Sequence, residues 1–336
     1  MKYGIWNNKG GVGKTFLSFI LGAEYAKRNP ERKVVLIDMC PQANLSEIIL
    51  GGNGAGSGRL EKILGEKKRK TVGGYFDSRI SSPHKKTGEE SDYLIYGRDH
   101  NENLPDNLYL LCGDPSLELQ AQVISQIGGQ TLPIEAWKNV RSWLRDLIQS
   151  CMNKLGDETT AFIDCNPSFS AYTELCMVAC DKLIIPCSSD GSSARAIDNV
   201  AALLYGHGAN PRHDAVNFHA KAKAFQMPLP LIHSIILNRS TLYNQDASKA
   251  FQAMFDAIQN RVSRFKTSRP ECFVSGTTQY PVVPDSHSVA IVCSHHGIPL
   301  YSVKAKKYPV HDTNPQVNTG PLNRYKEAVE GLLETL

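Results

Sequence analysis

The feature that most constrains this chain lies within its first fifteen residues. A short apolar run, Tyr3–Trp6, leads into Asn7-Asn8-Lys9-Gly10-Gly11-Val12-Gly13-Lys14-Thr15, and a helical pattern follows over Lys14–Arg28. A loop that wraps phosphate groups needs glycine, because its amides must turn inward through conformations that a β-carbon forbids. The helix that follows adds free N–H groups and the positive end of its dipole. In that arrangement Lys14 is expected to reach the β- and γ-phosphates, and Thr15 to offer its hydroxyl to Mg2+. A ligand-free glycine turn is the plain alternative, and Gly-Lys-Thr in this place argues against it. A dinucleotide loop counted from Gly11 needs glycine or alanine at position 16, where Phe16 stands. Asp38, at the end of the second apolar run, imitates the ribose-binding acid of such a loop, but the Gly-Lys-Thr run outweighs it.

The rest of the chain alternates short β-branched runs with helical patterns. Strands are expected at Tyr3–Trp6, Lys33–Asp38, Leu108–Cys112, Thr160–Asp164, Lys182–Pro186, Leu231–Leu237 and Gln279–Val283. Most are nearly continuous apolar runs, as in parallel strands covered on both faces. Helices are expected at Lys14–Arg28, Pro133–Cys151, Ala171–Ala179, Ser192–Leu204 and Gln245–Val262. In Pro133–Cys151 the residues Trp137, Val140, Leu144, Leu147, Ile148 and Cys151 form one stripe. The alternation implies an α/β fold: a doubly wound, mostly parallel sheet flanked by helices, with ligands beyond the carboxyl ends of its strands. Two stretches break the rhythm. Residues 51–105 open on Gly51–Gly58, which holds five glycines, and read as an insertion with a flexible start. Residues 205–230, rich in His, Pro and Lys, read as a second insertion. One domain over residues 1–336 is expected, with a docking helix at 321–336.

Composition narrows the functional classes. The 336 residues are 41% apolar and 21% charged, a globular profile with room for a sizeable core. No run approaches the ~18 apolar residues of a membrane-spanning helix. The first nine residues carry no apolar leader, so a cytoplasmic location is expected. The net charge of +4 excludes a polycation but leaves room for local basic patches. The nine cysteines form no C-x-x-C pair, and their scatter reads as reduced thiols. Cys176 and Cys180 share a helical face, and buried inert thiols are expected there rather than a metal pair.

One detail of the loop points further. The general phosphate-loop pattern puts glycine at position 8, where this chain has Asn8, and instead places Lys9 before Gly10-Gly11. That K-G-G-x-G-K-[ST] form is the deviant Walker A motif, and here the sequence resembles the ParA/Soj/MinD family of partitioning and positioning ATPases. The stretch Asp38-Met39-Cys40-Pro41-Gln42-Ala43-Asn44 resembles the family's D-x-D-P-Q-[AG]-N motif. Asp164-Cys165-Asn166-Pro167-Ser168 resembles its Walker B end, D-x-P-P-S. Asn107–Gln120, Cys180–Val200, Ile235–Arg239 and Pro284–Leu300 are similar to later blocks, so the likeness spans most of the chain.

The resemblance implies a P-loop fold, ATP with Mg2+ as ligands, and a homodimer that sandwiches two ATP molecules. The backbone and side chains of Lys9, Gly10, Gly11, Val12, Gly13, Lys14, Thr15 and Phe16 are then the phosphate cradle. Lys9 is the lysine that reaches the partner's phosphates, a cation in trans where phosphoryl charge builds. Thr15, Asp38 and Asp164 are the expected metal shell, while Asn238 and Pro281 face the base. The catalytic set is Lys9, Lys14, Asp38 and position 40. At that last position the family's second acid is replaced by Cys40, a weak hydrogen-bonding group that stays neutral near pH 7. Slow hydrolysis with nucleotide binding kept is therefore expected, unless another carboxylate takes the role.

ParA-type members bind DNA without sequence preference. Basic clusters suited to phosphate contacts are Arg261, Arg264, Lys266 and Arg269, and Lys304, Lys306 and Lys307. The run Lys67–Lys70 reads as loop charge. A ParB-like or cargo adaptor is the partner the resemblance implies, with nucleoid association when ATP is bound. A MinD-like membrane anchor is not expected, because the tail 321–336 is net acidic. A redox role lacks a matching cysteine pattern. Because the loop begins so near Met1, no preceding helix-turn-helix domain is expected. The competing reading is a MinD-like or metal-cluster-carrier ATPase that does not act on DNA.

Overall fold

The computed structural model describes residues 1–188, 191–210, 212, 217–240 and 245–336. β1 (Lys2–Ile5) feeds α1 (Lys14–Arg28) and β2 (Lys33–Met39), followed by α2 (Asn44–Ile49), α3 (Gly52–Leu64) and α4 (Val72–Ser81). Next come β3 (Ile95–Tyr96), β4 (Leu108–Leu111), α5 (Leu117–Gly128), α6 (Ala136–Arg141) and α7 (Trp143–Leu155). β5 (Thr159–Cys165), α8 (Ala171–Ala179), β6 (Lys182–Ser188), α9 (Gly191–Tyr205) and α10 (Phe218–Ala224) follow. The last elements are β7 (Leu231–Ser240), α11 (Gln245–Ser268), β8 (Val282–Pro284), α12 (Ser288–His296) and α13 (Thr319–Leu333).

The strands form one sheet in the order β3-β4-β2-β5-β1-β6-β7-β8. Every pair is parallel except β3–β4. Apolar side chains leave the strands alternately to either face. Val34, Leu36, Phe162 and Ile184 pack with α1, α2, α12 and α13 on one side. Val35, Ile37, Ile163 and Ile185 pack with α4 through α11 on the other. Strands buried on both faces explain the near-continuous apolar runs in the sequence. β1 lies centrally between β5 and β6, so the loop after it opens at the carboxyl edge of the sheet, beside the ends of its neighbours.

Several local expectations need correction. The glycine run after Gly51 is not a flexible entry but the first two turns of α3. Gly52 and Gly56 are buried there because the backbone of other helices presses against them. A Cβ on Gly56 would sit 2.1 Å from the Glu47 carbonyl oxygen, and one on Gly52 would sit 2.3 Å from that of His295. The stretch Pro133–Cys151 is two helices, α6 and α7, that break at Ser142. Its hydroxyl donates to the Lys138 carbonyl at 2.8 Å, a back-bond that bends helices, yet the predicted apolar stripe is buried throughout. The last strand begins at Val282 rather than Gln279, which makes only an isolated bridge to Ser234. β3 is too short to show a period in the sequence. The segment 205–230 contains α10, and residues 211 and 213–216 of it lie outside the described residues.

The contrast among the α3 glycines makes a prediction of two signs. A β-carbon added to Gly58 would meet only open space, so Gly58→Ala is expected to stabilise by up to ~1 kcal/mol through helix propensity. Gly56→Ala gains the same propensity but forces α3 off α2, and a net loss of about 1–2 kcal/mol is expected. Thermal midpoints of the two variants should move in opposite directions.

Candidate nucleotide and metal site

The loop between β1 and α1 is held by the carboxyl ends of β6 and β7. Asn7 is fully buried; its amide nitrogen donates to the Pro186 carbonyl at 2.8 Å, and its amide oxygen accepts from the Lys9 N–H at 3.0 Å. One strand further along the sheet, at the carboxyl end of β7, the Asn238 amide nitrogen donates to the Val12 carbonyl at 2.8 Å. Gly11 and Gly13 adopt φ of 75° and 81°, the left-handed region that only glycine enters freely. A β-carbon on Gly10 or Gly11 would meet nothing within 4 Å. Glycine at position 10 is thus not required by the protein's own packing; it leaves a cradle that a side chain would fill.

α1 begins at this cradle with no side-chain cap on its free N–H groups, since its N-cap is Gly13. Lys14 is buried, and its ammonium donates to the Lys9 carbonyl at 2.8 Å. Burial lowers its pKa, and the nearby Asp164 carboxylate opposes that shift. A cavity of ≈600 Å³ opens here, with Gly10, Gly11, Lys14, Thr15, Cys40 and Pro167 among its walls. A concave site with convergent amides and one buried cation suits the phosphates of a nucleotide.

Asp164, next to last in β5, is in register with Asp38 on β2 and Ile5 on β1. It is 1% exposed, and its pKa is raised to about 7, first by burial and then by the Asp38 charge. Ser18, one turn beyond Lys14, donates its hydroxyl to Oδ1 at 3.3 Å. The other oxygen, Oδ2, is buried without a hydrogen-bond partner. An orphaned carboxylate oxygen costs free energy unless something positive meets it. With the Thr15 hydroxyl beside the same carboxylate, these oxygens suit a small hard cation such as Mg2+.

Asp38, the other carboxylate expected in the metal shell, accepts hydrogen bonds through both of its oxygens. Its Oδ1 accepts from the Cys40 N–H at 3.0 Å. Its Oδ2 accepts from the Ser46 N–H at 2.9 Å and the Ser46 hydroxyl at 2.8 Å. The carboxylate therefore ties the 40–46 turn and the start of α2 to β2. Ser46 also accepts from the Gly113 N–H at 2.8 Å, which binds β4 into the same knot. Cys40 does face the cavity. Burial first, then the Asp38 charge, push its thiol up to about 12, so it is neutral. Its neighbour is Asn166, whose amide nitrogen lies 3.8 Å from Sγ. Asn166 stands where the D-x-P-P-S pattern has proline, so two departures from the family's motifs lie side by side. Phe16 stacks on Tyr325 of α13 with ring centroids 6.3 Å apart, and Pro281 accepts from the Leu237 N–H at 2.9 Å beside Asn238.

The basic clusters are partly neutralised. Arg261 pairs with Asp198 of α9, and Arg269 with Glu271. Lys266 donates to the Gly276 carbonyl and the Thr278 hydroxyl, and Arg264 to the Asn260 carbonyl. Lys304, Lys306 and Lys307 are exposed, with Lys306 over the Tyr308 ring. In the run Lys67–Lys70, Lys68 pairs with Glu89 and Asp92, and Arg69 with Asp77 and Asp114. Eight cysteines are buried, with Cys40 the exception, and no metal-binding cluster occurs among the described residues. Ser18, Ser46 and Ser188 are missed by sequence reasoning; only Ser18, four residues after Lys14, carries a spacing that points to the site.

The CobQ/CobB/MinD/ParA nucleotide binding domain model matches residues 3–250. The chain belongs to this family. A search of curated protein sequences returned no match. Among solved structures, the chain is similar to McdA from Cyanothece, with 17% identity, 98% of each chain covered and a TM-score of 0.60. It is similar to a putative plasmid partition protein from Borrelia burgdorferi B31 bound to AMPPNP, with 15% identity, 100% and 99% coverage and a TM-score of 0.57. The septum site-determining protein MinD from Pyrococcus horikoshii, complexed with Mg-ADP, gives 16% identity, 98% and 95% coverage and a TM-score of 0.52. At these identities the likeness is one of fold, the P-loop α/β architecture. Among the described residues no helix is long and apolar enough to cross a membrane, in keeping with the absence of such a run from the sequence.

Proposed function

We propose that this CobQ/CobB/MinD/ParA family member is an ATP-driven dimerising switch that positions a plasmid, chromosome or other cargo. The observation that carries the reading is the loop itself: a buried Lys14 facing an open glycine cradle, with a second lysine, Lys9, just ahead of it. Lys14 binds the β- and γ-phosphates, and Lys9 reaches the phosphates of the partner subunit. Thr15 and Asp164 hold Mg2+, which neutralises phosphate charge when bound. Asn238 and Pro281 border the base, and Asn238 also fixes the loop through Val12. The dimer binds DNA nonspecifically through Arg264 and the exposed Lys304, Lys306 and Lys307, and a ParB-like or cargo adaptor stimulates turnover.

Hydrolysis is slow because the thiol of Cys40 neither accepts a proton nor orients water as a carboxylate does. Cys40→Asp is expected to raise basal turnover about tenfold or more, since positioned acid–base groups contribute on that scale. Unchanged phosphate release by this variant refutes the role given to position 40.

One observation favours a second reading. The acids that pair with Arg261 and Arg269 offset charge in the longer basic cluster, as suits a family ATPase that does not act on DNA. Light scattering and nonspecific DNA binding, measured without nucleotide, with ADP and with MgATP over a salt series, separate the two. A dimer that binds DNA only with MgATP, less tightly at high salt, supports the first reading. A MgATP dimer without DNA binding supports the second, and a monomer in every condition refutes the switch.

A further inference from the structure

The carboxyl end of β6 holds the front half of the phosphate loop through a backbone carbonyl and a hydroxyl that the reaction itself does not use. Besides Pro186, which accepts from Asn7, this end carries Ser188. The Lys9 ammonium donates to the Ser188 hydroxyl at 2.9 Å. Ser188 in turn lies 3.2 Å from the hydroxyl of Ser193, which is fully buried in the first turn of α9. The two hydroxyls are within hydrogen-bond reach of each other, and the Ser188 oxygen accepts from the ammonium. The Lys9 peptide is engaged as well. Its N–H is taken by Asn7 and its carbonyl by the Lys14 ammonium.

These contacts set a competition. A lysine side chain docked on β6 of its own subunit cannot extend to the phosphates of a partner, because one ammonium group ends in one place. We propose that Ser188 is a positioning residue, a dock that holds the Lys9 side chain on its own subunit and sets how readily it is released to the partner. The dock deepens the reading in which Lys9 acts in trans and rests on it for its consequence, though not for its existence.

Two measurements test it. The first needs no nucleotide: acylation of the Lys9 amine by an N-hydroxysuccinimide ester, followed by peptide mass spectrometry with the exposed Lys62 as internal reference. Ser188→Ala is expected to raise Lys9 labelling about threefold, the scale of one hydrogen bond to a charged group partly replaced by water. Ser188→Thr keeps the hydroxyl and is expected to restore the wild-type rate, which a merely structural role does not require. The second is the MgATP concentration that half-converts the chain to dimer, expected to fall about threefold in Ser188→Ala and to return with threonine. Unchanged labelling in Ser188→Ala overturns the dock. Raised labelling with an unchanged or higher dimerisation midpoint overturns its control of release. If the wild type forms no dimer with MgATP, the trans reading fails, and the labelling result still decides the dock.

Discussion

Lys14→Ala is expected to remove nucleotide binding at micromolar ATP and to lower phosphate release by about 10²–10³, the scale seen when a preorganised charge is deleted from a reacting centre. The size of the effect follows from placement. The ammonium is 7% exposed at the first turn of α1, where burial disfavours its charge and the loop offers it one carbonyl at 2.8 Å. It is poised for an anion rather than spent on the fold. The variant should therefore keep its thermal midpoint within a few degrees of wild type, because the charge removed carries a desolvation cost that its loss relieves. A secondary effect runs through Asp164. Lys14 is one of the groups that hold that carboxyl down, so its removal raises the Asp164 pKa further. Titration with a fluorescent ATP analogue checks the first effect and thermal melting the second. An alanine variant that binds the analogue like wild type refutes the placement of phosphate at this loop.

Much of this arrangement is legible in the chain, and the reasons differ from place to place. The spans Lys14–Arg28 and Ala171–Ala179 match α1 and α8 residue for residue, because a strand-to-helix loop and a continuous apolar face leave little freedom over where they begin and end. The glycines after Gly51 mislead because composition reports local freedom, whereas here contact with the backbones of α2 and α12 demands residues without side chains. Asp38 is expected at the metal by motif, and in the fold it also accepts hydrogen bonds from Cys40 and Ser46, a partner that nothing in its immediate sequence announces. Ser188 is 179 residues from Lys9, and only the pairing of β1 with β6 brings the two together. Residues that act through their own neighbours can be read from spacing; those that act across strands cannot.

Asp164→Asn is expected to stabilise the metal-free protein while disabling the site. In the unfolded chain this carboxyl titrates near 3.8, and in the fold it titrates near 7 because it is buried beside Asp38. Between those values the folded protein keeps a proton that the unfolded chain has lost. Stability contributed by the group is therefore fully present below about pH 4, falls as pH rises toward 7, and stays low above it. Asparagine does not titrate, and it also removes the repulsion that the Asp38 charge exerts on this position. The metal-free variant should thus melt higher than wild type at pH 8, with the difference shrinking toward pH 4. The cost appears with the cation. Mg2+ and ATP raise the wild-type midpoint by mass action on the ionised carboxylate, and asparagine offers only one neutral oxygen, so the added protection is largely lost. Turnover should drop by about 10²–10³, comparable to the loss of Lys14, since both act on the same phosphate charge. A variant that melts lower than wild type at pH 8 without metal would mean that Oδ2 has a partner in the folded chain. One that keeps its Mg2+ response would move the cation away from β5.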